Sequence, residues 1–216
     1  MCGTEHSARR PSKRLHQSMG ANLILAPRPI RGGKEGLCVE LLKLERQLVV
    51  IADGAPEQRI LVAQGNLAIS YQVLERHEEA VHMRREVYSG RLKLLGEEHR
   101  DTLVEANNYA HLLLCLRRCE EAKSLMRRKI PVVRRVLGET NMLTFQMRWI
   151  YARALSRADG ATLDDVREAV TSLEELERTA RRVLGSVHPL TKAIEDGLRD
   201  ARAMLSAREA MQALLG

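Results

Sequence analysis

The sequence predicts an all-α fold, a right-handed α-solenoid of stacked helix-turn-helix repeats, with about three full repeats and a half unit at each end. Three observations support this prediction: glycines at a near-fixed interval, two apolar stripes of helical period between successive glycines, and an aromatic content of only 3%. The glycines are Gly54, Gly96, Gly138 and Gly185, spaced 42, 42 and 47 residues apart. Such a period indicates units that bury their apolar faces only against their neighbours.

The first 36 residues differ from the rest of the chain in charge and composition. They carry seven Lys or Arg against two Glu, whereas residues 37–216 carry 28 basic and 26 acidic groups. Prolines and glycines interrupt any apolar period there, so we expect residues 1–36 to form a basic, disordered tail. Most of the net charge of +7 therefore belongs to this tail. Nucleic-acid association through residues 9–34 is the alternative function, although the near-neutral repeats make nucleic acid an unlikely partner of the repeat body.

The intervals between the glycines each hold two helical segments. In the first repeat, apolar residues recur at helical spacing over 58–74 and again from 78 to the glycine. The second repeat copies this order, and the third is five residues longer because of an insertion near 158–164. We expect a repeat domain at 37–205, followed by a C-terminal extension at 206–216. Within the domain, the expected units are a half repeat at 37–53, full repeats at 54–95, 96–137 and 138–184, and a capping helix at 185–205.

Three local features of the second helices can be predicted. Each glycine is expected to end its helix in the left-handed conformation. Pro131 lies inside the second helix of repeat 2, so we expect a bend or break near Ile130. A milder bend is expected at Gly90, the corresponding place in repeat 1.

The sequence shows no pattern of a membrane span, a metal site or an active site. No apolar run reaches 18 residues. His111, Cys115 and Cys119 have helical spacing, but no CxxC pair accompanies them, so we expect no metal and cysteines that are buried or in turns. No nucleophile–base arrangement or phosphate loop is present, which predicts no enzyme and no cofactor. Four cysteines form no disulfide framework, which favours a reducing, cytoplasmic compartment.

The repeated segments resemble a known family. The Asn-x-Ala and Glu-Glu-Ala triplets at 66–81 and 108–123, with LGEEHRDTL at 95–103 and LGSVHPLT at 184–191, are similar to tetratricopeptide repeats of the kinesin light chain type. The resemblance covers about residues 37–205. It implies a non-enzymatic scaffold or adaptor for protein–protein interaction, which binds an extended peptide or partner protein in a concave groove lined by the first helices.

The resemblance also implies peptide-backbone contacts. In such repeats the Asn of each Asn-x-Ala triplet hydrogen-bonds the bound peptide. Asn66 and Asn108 match this position and Asn107 adjoins it, whereas the third repeat has Ile150 there. The alternative is that each asparagine hydrogen-bonds the backbone of a neighbouring helix and contacts no peptide.

Three further residues are expected to contact side chains of the partner. Trp149 and His111 lie on first helices, and Trp149 has a register that points toward the groove. Arg153, one turn after Trp149, is expected to meet an acidic residue of the partner. A place in the core is the alternative for Trp149. The sequence pattern predicts neither the identity of the partner nor the oligomeric state. A further alternative is that the chain is one part of a larger scaffold.

Overall fold

The computed structural model describes residues 56–215 together with Gly36 and Lys43. Residues 56–215 form seven α-helices. The predicted tail, the nucleic-acid hypothesis attached to it, and most of the half repeat at 37–53 lie outside the described residues and stay predictions. In chain order the helices are α1 (Glu57–Val73), α2 (His77–Leu95), α3 (Arg100–Cys115), α4 (Cys119–Leu137), α5 (Met142–Arg157), α6 (Leu163–Leu184) and α7 (Pro189–Leu215).

The helices stack in two layers. Each described helix packs against the next one in the chain, and the first helices α3, α5 and α7 also lie side by side. Among the described helices, α1 packs against α2 only. Because contacts join only near neighbours along the chain, this arrangement is a solenoid. The predicted all-α solenoid is confirmed.

The interior consists of two apolar clusters that meet on α5. The first joins α1 to α5 and the second joins α5 to α7. On α5, Met147 belongs to the first cluster and Phe145 to the second, and both are fully buried. Trp149 and Tyr151 are half-buried and contact both clusters. The alanines that fall in register in the three first helices are also fully buried, which lets the helices approach closely: Ala68, Ala110 and Ala152.

The glycines that end the second helices differ from the expected conformation. Gly96, Gly138 and Gly185 have φ values of 84°, 86° and 87°, with ψ values of 172°, 166° and 160°. The positive φ is as predicted, but the extended ψ is not left-handed helical. This backbone region is essentially restricted to glycine. The chain therefore leaves each second helix in an extended direction, and the prediction of a left-handed cap was wrong in ψ.

Positive φ also occurs inside the first two repeats, at residues that are not glycine. Glu75 and Arg117, in the turns after α1 and α3, have φ values of 60° and 63°. The N–H groups of the next residues donate back across each turn, from Arg76 to the Tyr71 carbonyl at 3.0 Å and from Arg118 to the Leu113 carbonyl at 2.9 Å. These bonds satisfy carbonyls at the helix ends in a Schellman arrangement.

Gly138→Ala is expected to lower the free energy of unfolding by about 1–3 kcal/mol, because alanine does not adopt this backbone conformation without strain. Steric conflict is not the cause, since nothing lies within 4 Å of an added Cβ. Gly65, inside α1, has the same open space, so Gly65→Ala is the control and should stabilise by about 0.5–1 kcal/mol. Urea unfolding of the two variants measures the difference, and equal stabilities would refute the backbone explanation.

The second helices are continuous where interruptions were expected. α4 runs through Pro131, so the predicted break does not occur. Val132 and Val133, which follow the proline, are buried, and this packing outweighs the loss of one hydrogen bond. α2 also runs through Gly90. A Cβ at Gly90 would lie 2.4 Å from Leu61 Cδ2, so the glycine permits close packing of α1 on α2.

The last helix is longer than predicted. α7 continues to Leu215 instead of ending at 205. The additional turns are held against the start of α6: Arg208 donates to the carbonyls of Ala161 and Thr162, and Arg167 lies 3.1 Å from Glu209. Contacts between residues far apart in the sequence therefore extend this helix.

Candidate peptide-binding site

The first helices α3, α5 and α7 begin with the same kind of cap. A side chain just before each helix accepts a hydrogen bond from a backbone N–H of the first turn, which satisfies one of the unpaired donors there. The acceptors are His99 Nδ1 for Asp101 at 3.1 Å, Asn141 Oδ1 for Leu143 at 2.9 Å and His188 Nδ1 for Leu190 at 3.1 Å. The His three residues after the Leu-Gly pairs at 95–96 and 184–185 thus fixes where α3 and α7 begin.

Three of the predicted site residues come together across α3 and α5. The rings of His111 and Trp149 stack with their centroids 6.3 Å apart and their planes 19° from parallel. The Arg153 guanidinium carbon lies 4.8 Å from the centroid of the Trp149 ring. All three side chains are half-buried. We call this group the tryptophan stack.

Trp149 is also part of the framework. Its indole Nε1–H donates to the carbonyl of Ala193 on α7 at 3.0 Å. A Cβ at Gly197 would lie 3.5 Å from this nitrogen, so glycine there lets α7 approach the indole. Trp149 contacts both apolar clusters. It therefore links the two clusters and also forms the centre of the tryptophan stack.

Arg153 carries a charge that no described carboxylate neutralises. No Asp or Glu of the described residues lies within 4 Å of its guanidinium, and its Nε is buried without a hydrogen-bond partner. The neighbouring Arg157 is different, because its Nη2 lies 3.3 Å from Asp200 Oδ2. Burial, and then the charge of Arg157, lowers the pKa of Arg153, whereas the charge of Asp200 opposes that shift. Arginine nevertheless stays protonated in proteins, so the stack holds a cation without an ion-pair partner among the described residues.

His111 is neutral at physiological pH. Burial lowers its pKa, and the nearby charges of Arg153 and Arg84 lower it further. The adjacent Cys115 Sγ lies 3.8 Å from His111 Nδ1, and burial raises the pKa of this thiol. Cys119 is buried at the start of α4. Within the described residues, no three His, Cys, Asp or Glu side chains are grouped as metal ligands.

The three predicted asparagines have different environments. Asn66 is exposed on α1 and Asn108 is half-buried on α3, and these two helices do not pack together. Asn107 is only 1% exposed, and neither of its amide atoms has a hydrogen-bond partner. In this conformation Asn107 is closed to a ligand. Peptide contact by Asn66 and Asn108 stays a prediction.

Comparison with known proteins agrees with this architecture. The family model of the tetratricopeptide repeat matches residues 60–101. One segment of this chain therefore matches a tetratricopeptide repeat, and its fold is similar to that of kinesin light chain-like repeat structures. Two crystal structures of a Podosopora anserina protein, described as a kinesin light chain with nearly identical TPR-like repeats, superpose on it. The Q17M form has a TM-score of 0.67 and 23% identity over 84% of this chain and 85% of its own. The other form has a TM-score of 0.66 and 24% identity over 84% and 86%. No curated protein matches the sequence.

Tetratricopeptide repeats generally mediate protein–protein interaction, and folds of this kind are typically non-catalytic scaffolds. None of the helices in residues 56–215 is both long and apolar enough to cross a membrane. The cytoplasmic location stays a prediction.

Sequence reasoning missed a buried ion pair between α2 and α3. Arg84 on α2 and Glu105 on α3 are both buried, with Arg84 Nη1 3.2 Å from Glu105 Oε2. Arg84 occupies the same helical stripe as Ala80 and Val87, which are fully buried. An arginine within an apolar stripe was the available signal for a buried charge, although its partner could not be read from the spacing.

Proposed function

We propose that this protein is a non-enzymatic interaction scaffold or adaptor, and that it binds an extended segment of a partner protein in a concave groove lined by the first helices, α1, α3, α5 and α7. The tryptophan stack is the observation that supports this proposal. It combines two stacked rings with a cation that has no carboxylate partner among the described residues. Half-buried Trp and Arg side chains are the types that most often dominate binding energy at protein interfaces.

The chemistry of the stack favours an acidic residue next to an apolar one in the partner. A carboxylate would complete the unpaired guanidinium of Arg153, and a bidentate pair adds orientation as well as energy. The neutral ring of His111 and the indole of Trp149 offer an apolar surface beside it. Asn66 and Asn108 are proposed to hydrogen-bond the peptide backbone.

Arg153→Gln is expected to weaken peptide binding by about tenfold or more, because a hydrogen bond to a charged group contributes about 1.5–3 kcal/mol. The ligands are peptides selected against the wild-type protein from a displayed library of random sequences. Isothermal titration of one selected peptide against each variant measures the effect. The matched control is Arg199→Gln, since Arg199 is exposed on α7 and already lies 3.1 Å from Asp196.

The same peptides test the asparagine contacts. The double variant Asn66→Ala with Asn108→Ala should bind more weakly while its helical circular dichroism is retained. Unchanged affinity of this variant would remove the asparagines from the site. Equal affinities of wild type and Arg153→Gln would refute the groove as the binding surface.

A further inference from the structure

A second groove, which we call the basic groove, lies where α4, α5 and α6 meet. It is open to solvent and has a volume of about 590 Å³. Four arginines and two glutamates line it: Arg134, Arg148, Arg178, Arg182, Glu139 and Glu175. The groove is distinct from the tryptophan stack, which lies on α3 and α5 and faces α7.

Both glutamates of the basic groove already form ion pairs with arginines of the groove. Glu139 pairs with Arg134 and lies 3.6 Å from Arg148. Glu175 lies 3.3 Å from Arg148. The six charged groups therefore leave an excess of two positive charges.

The excess lies on α6. Arg178 and Arg182 are exposed, and within the described part of the chain no carboxylate lies within 4 Å of either guanidinium. The Arg178 Nε donates only to the backbone carbonyl of Glu174, at 3.4 Å. The two arginines are four residues apart, so they are neighbours on one face, and like charges at this spacing destabilise a helix. An anion placed between them would relieve this repulsion.

Stabilisation of the α6 dipole does not account for the whole groove. Arg181 and Arg182 lie in the last turn of α6, where cations are favourable. Arg178 lies before that turn, and Arg148 is on α5. The N-terminus of α5 is the positive end of its helix dipole, and its first turn has no acidic residue that would offset this charge. Thr140, two residues before the helix, lines the groove, so this end of α5 adds positive potential there.

We propose that the basic groove binds a phosphorylated serine or threonine of a partner protein, and this inference rests on the proposed function because it takes the partner to be a protein. A phosphate monoester carries about −1.5 to −2 charges at pH 7, which matches the excess of two. Guanidinium groups bind phosphate oxygens in a bidentate manner. Arg178 and Arg182 are the primary ligands, and the Thr140 hydroxyl is a further donor at the rim.

The lining of the groove favours a phosphoprotein over a nucleic acid. None of its described lining residues is aromatic, so there is no surface on which a base would stack. The two glutamates would also repel a continuous phosphate backbone. A single phosphate group avoids both difficulties.

The test uses fluorescein-labelled degenerate peptides with either phosphoserine or serine at the central position. Fluorescence anisotropy with the full chain is expected to show binding about tenfold tighter for the phosphoserine library, consistent with a charge-assisted pair. Arg178→Gln with Arg182→Gln should abolish this preference. Arg85→Gln with Arg199→Gln removes the same charge from other exposed positions and should retain it. Since the second phosphate ionisation lies at about pH 6, the preference for phosphoserine should decline at pH 5.5.

Four results would overturn the proposal. The first two are equal binding of the phosphoserine and serine libraries, and an equal loss of the phosphoserine preference in the two double variants. The third is displacement of the labelled peptide by inorganic phosphate as efficiently as by unlabelled phosphopeptide. The fourth is tighter binding of a single-stranded RNA of matched length than of the phosphopeptides. Arg153→Gln should leave the phosphoserine preference unchanged. Failure of the basic groove is thus distinguishable from failure of the proposed peptide site.

Discussion

Glu105→Gln is expected to lower the free energy of unfolding by about 3–5 kcal/mol, because it leaves the charge of Arg84 buried without its partner. Glu105 is 2% exposed and Arg84 is 6% exposed. Burial lowers the pKa of Arg84, and the charge of Glu105 opposes that shift. Glu105 also lies 3.9 Å from Arg91 Nε, so its loss affects a second cation. Urea unfolding followed by circular dichroism measures the change.

Two comparisons separate the buried charge from a general effect of the substitution. Glu121→Gln breaks the exposed pair with Arg118, whose atoms lie 2.6 Å apart, and should cost at most about 1 kcal/mol. Arg84→Met with Glu105→Leu replaces both partners by apolar groups and should recover most of the lost stability. A loss at Glu105 no larger than that at Glu121 would contradict the prediction.

Phe145→Ala should also destabilise the protein by about 3–5 kcal/mol, through lost apolar contacts and the cavity that remains. Phe145 is fully buried in the cluster that joins α5, α6 and α7. In a solenoid, stability is close to a sum over units and their interfaces. Hydrogen exchange should therefore show the largest loss of protection in α6 and α7, and a smaller loss in α1 and α2.

Met147 provides the matched control on the same helix. It is fully buried but belongs to the cluster that joins α1 to α5, so Met147→Ala should reduce protection mainly on the N-terminal side. The same loss of protection throughout the described helices in both variants would show that the two clusters unfold as one unit.

Local periodicity was sufficient to predict the positions of most helices. The expected segments at 58–74 and from 78 to the glycine correspond to Glu57–Val73 and His77–Leu95, because apolar spacing and turn residues act over a few residues. The continuity of α4 through Pro131 and the added length of α7 depend on tertiary contacts. Neither is visible in a local pattern.

The proximity of candidate site residues could be predicted from the sequence only where they lie on one helical face or on aligned positions of adjacent repeats. Trp149 and Arg153 are one turn apart, and alignment of the repeats placed His111 on the adjacent first helix. The pairing of Arg84 with Glu105 could not be predicted, because it joins residues 21 positions apart across two helices. The burial of Asn107 beside the half-buried Asn108 likewise depends on how α3 rotates against its neighbours.

The three glycine joints have a consequence for the shape of the array. Their dihedral angles are similar, with φ of 84–87° and ψ of 160–172°. The chain therefore leaves each second helix with nearly the same change of direction. Of the five additional residues in the third repeat, two lie in the turn at 158–162 between α5 and α6 and three lengthen α6 relative to α2 and α4. The difference in repeat length thus falls outside the glycine joints, and the exit from the longest second helix matches the exits from the shorter ones.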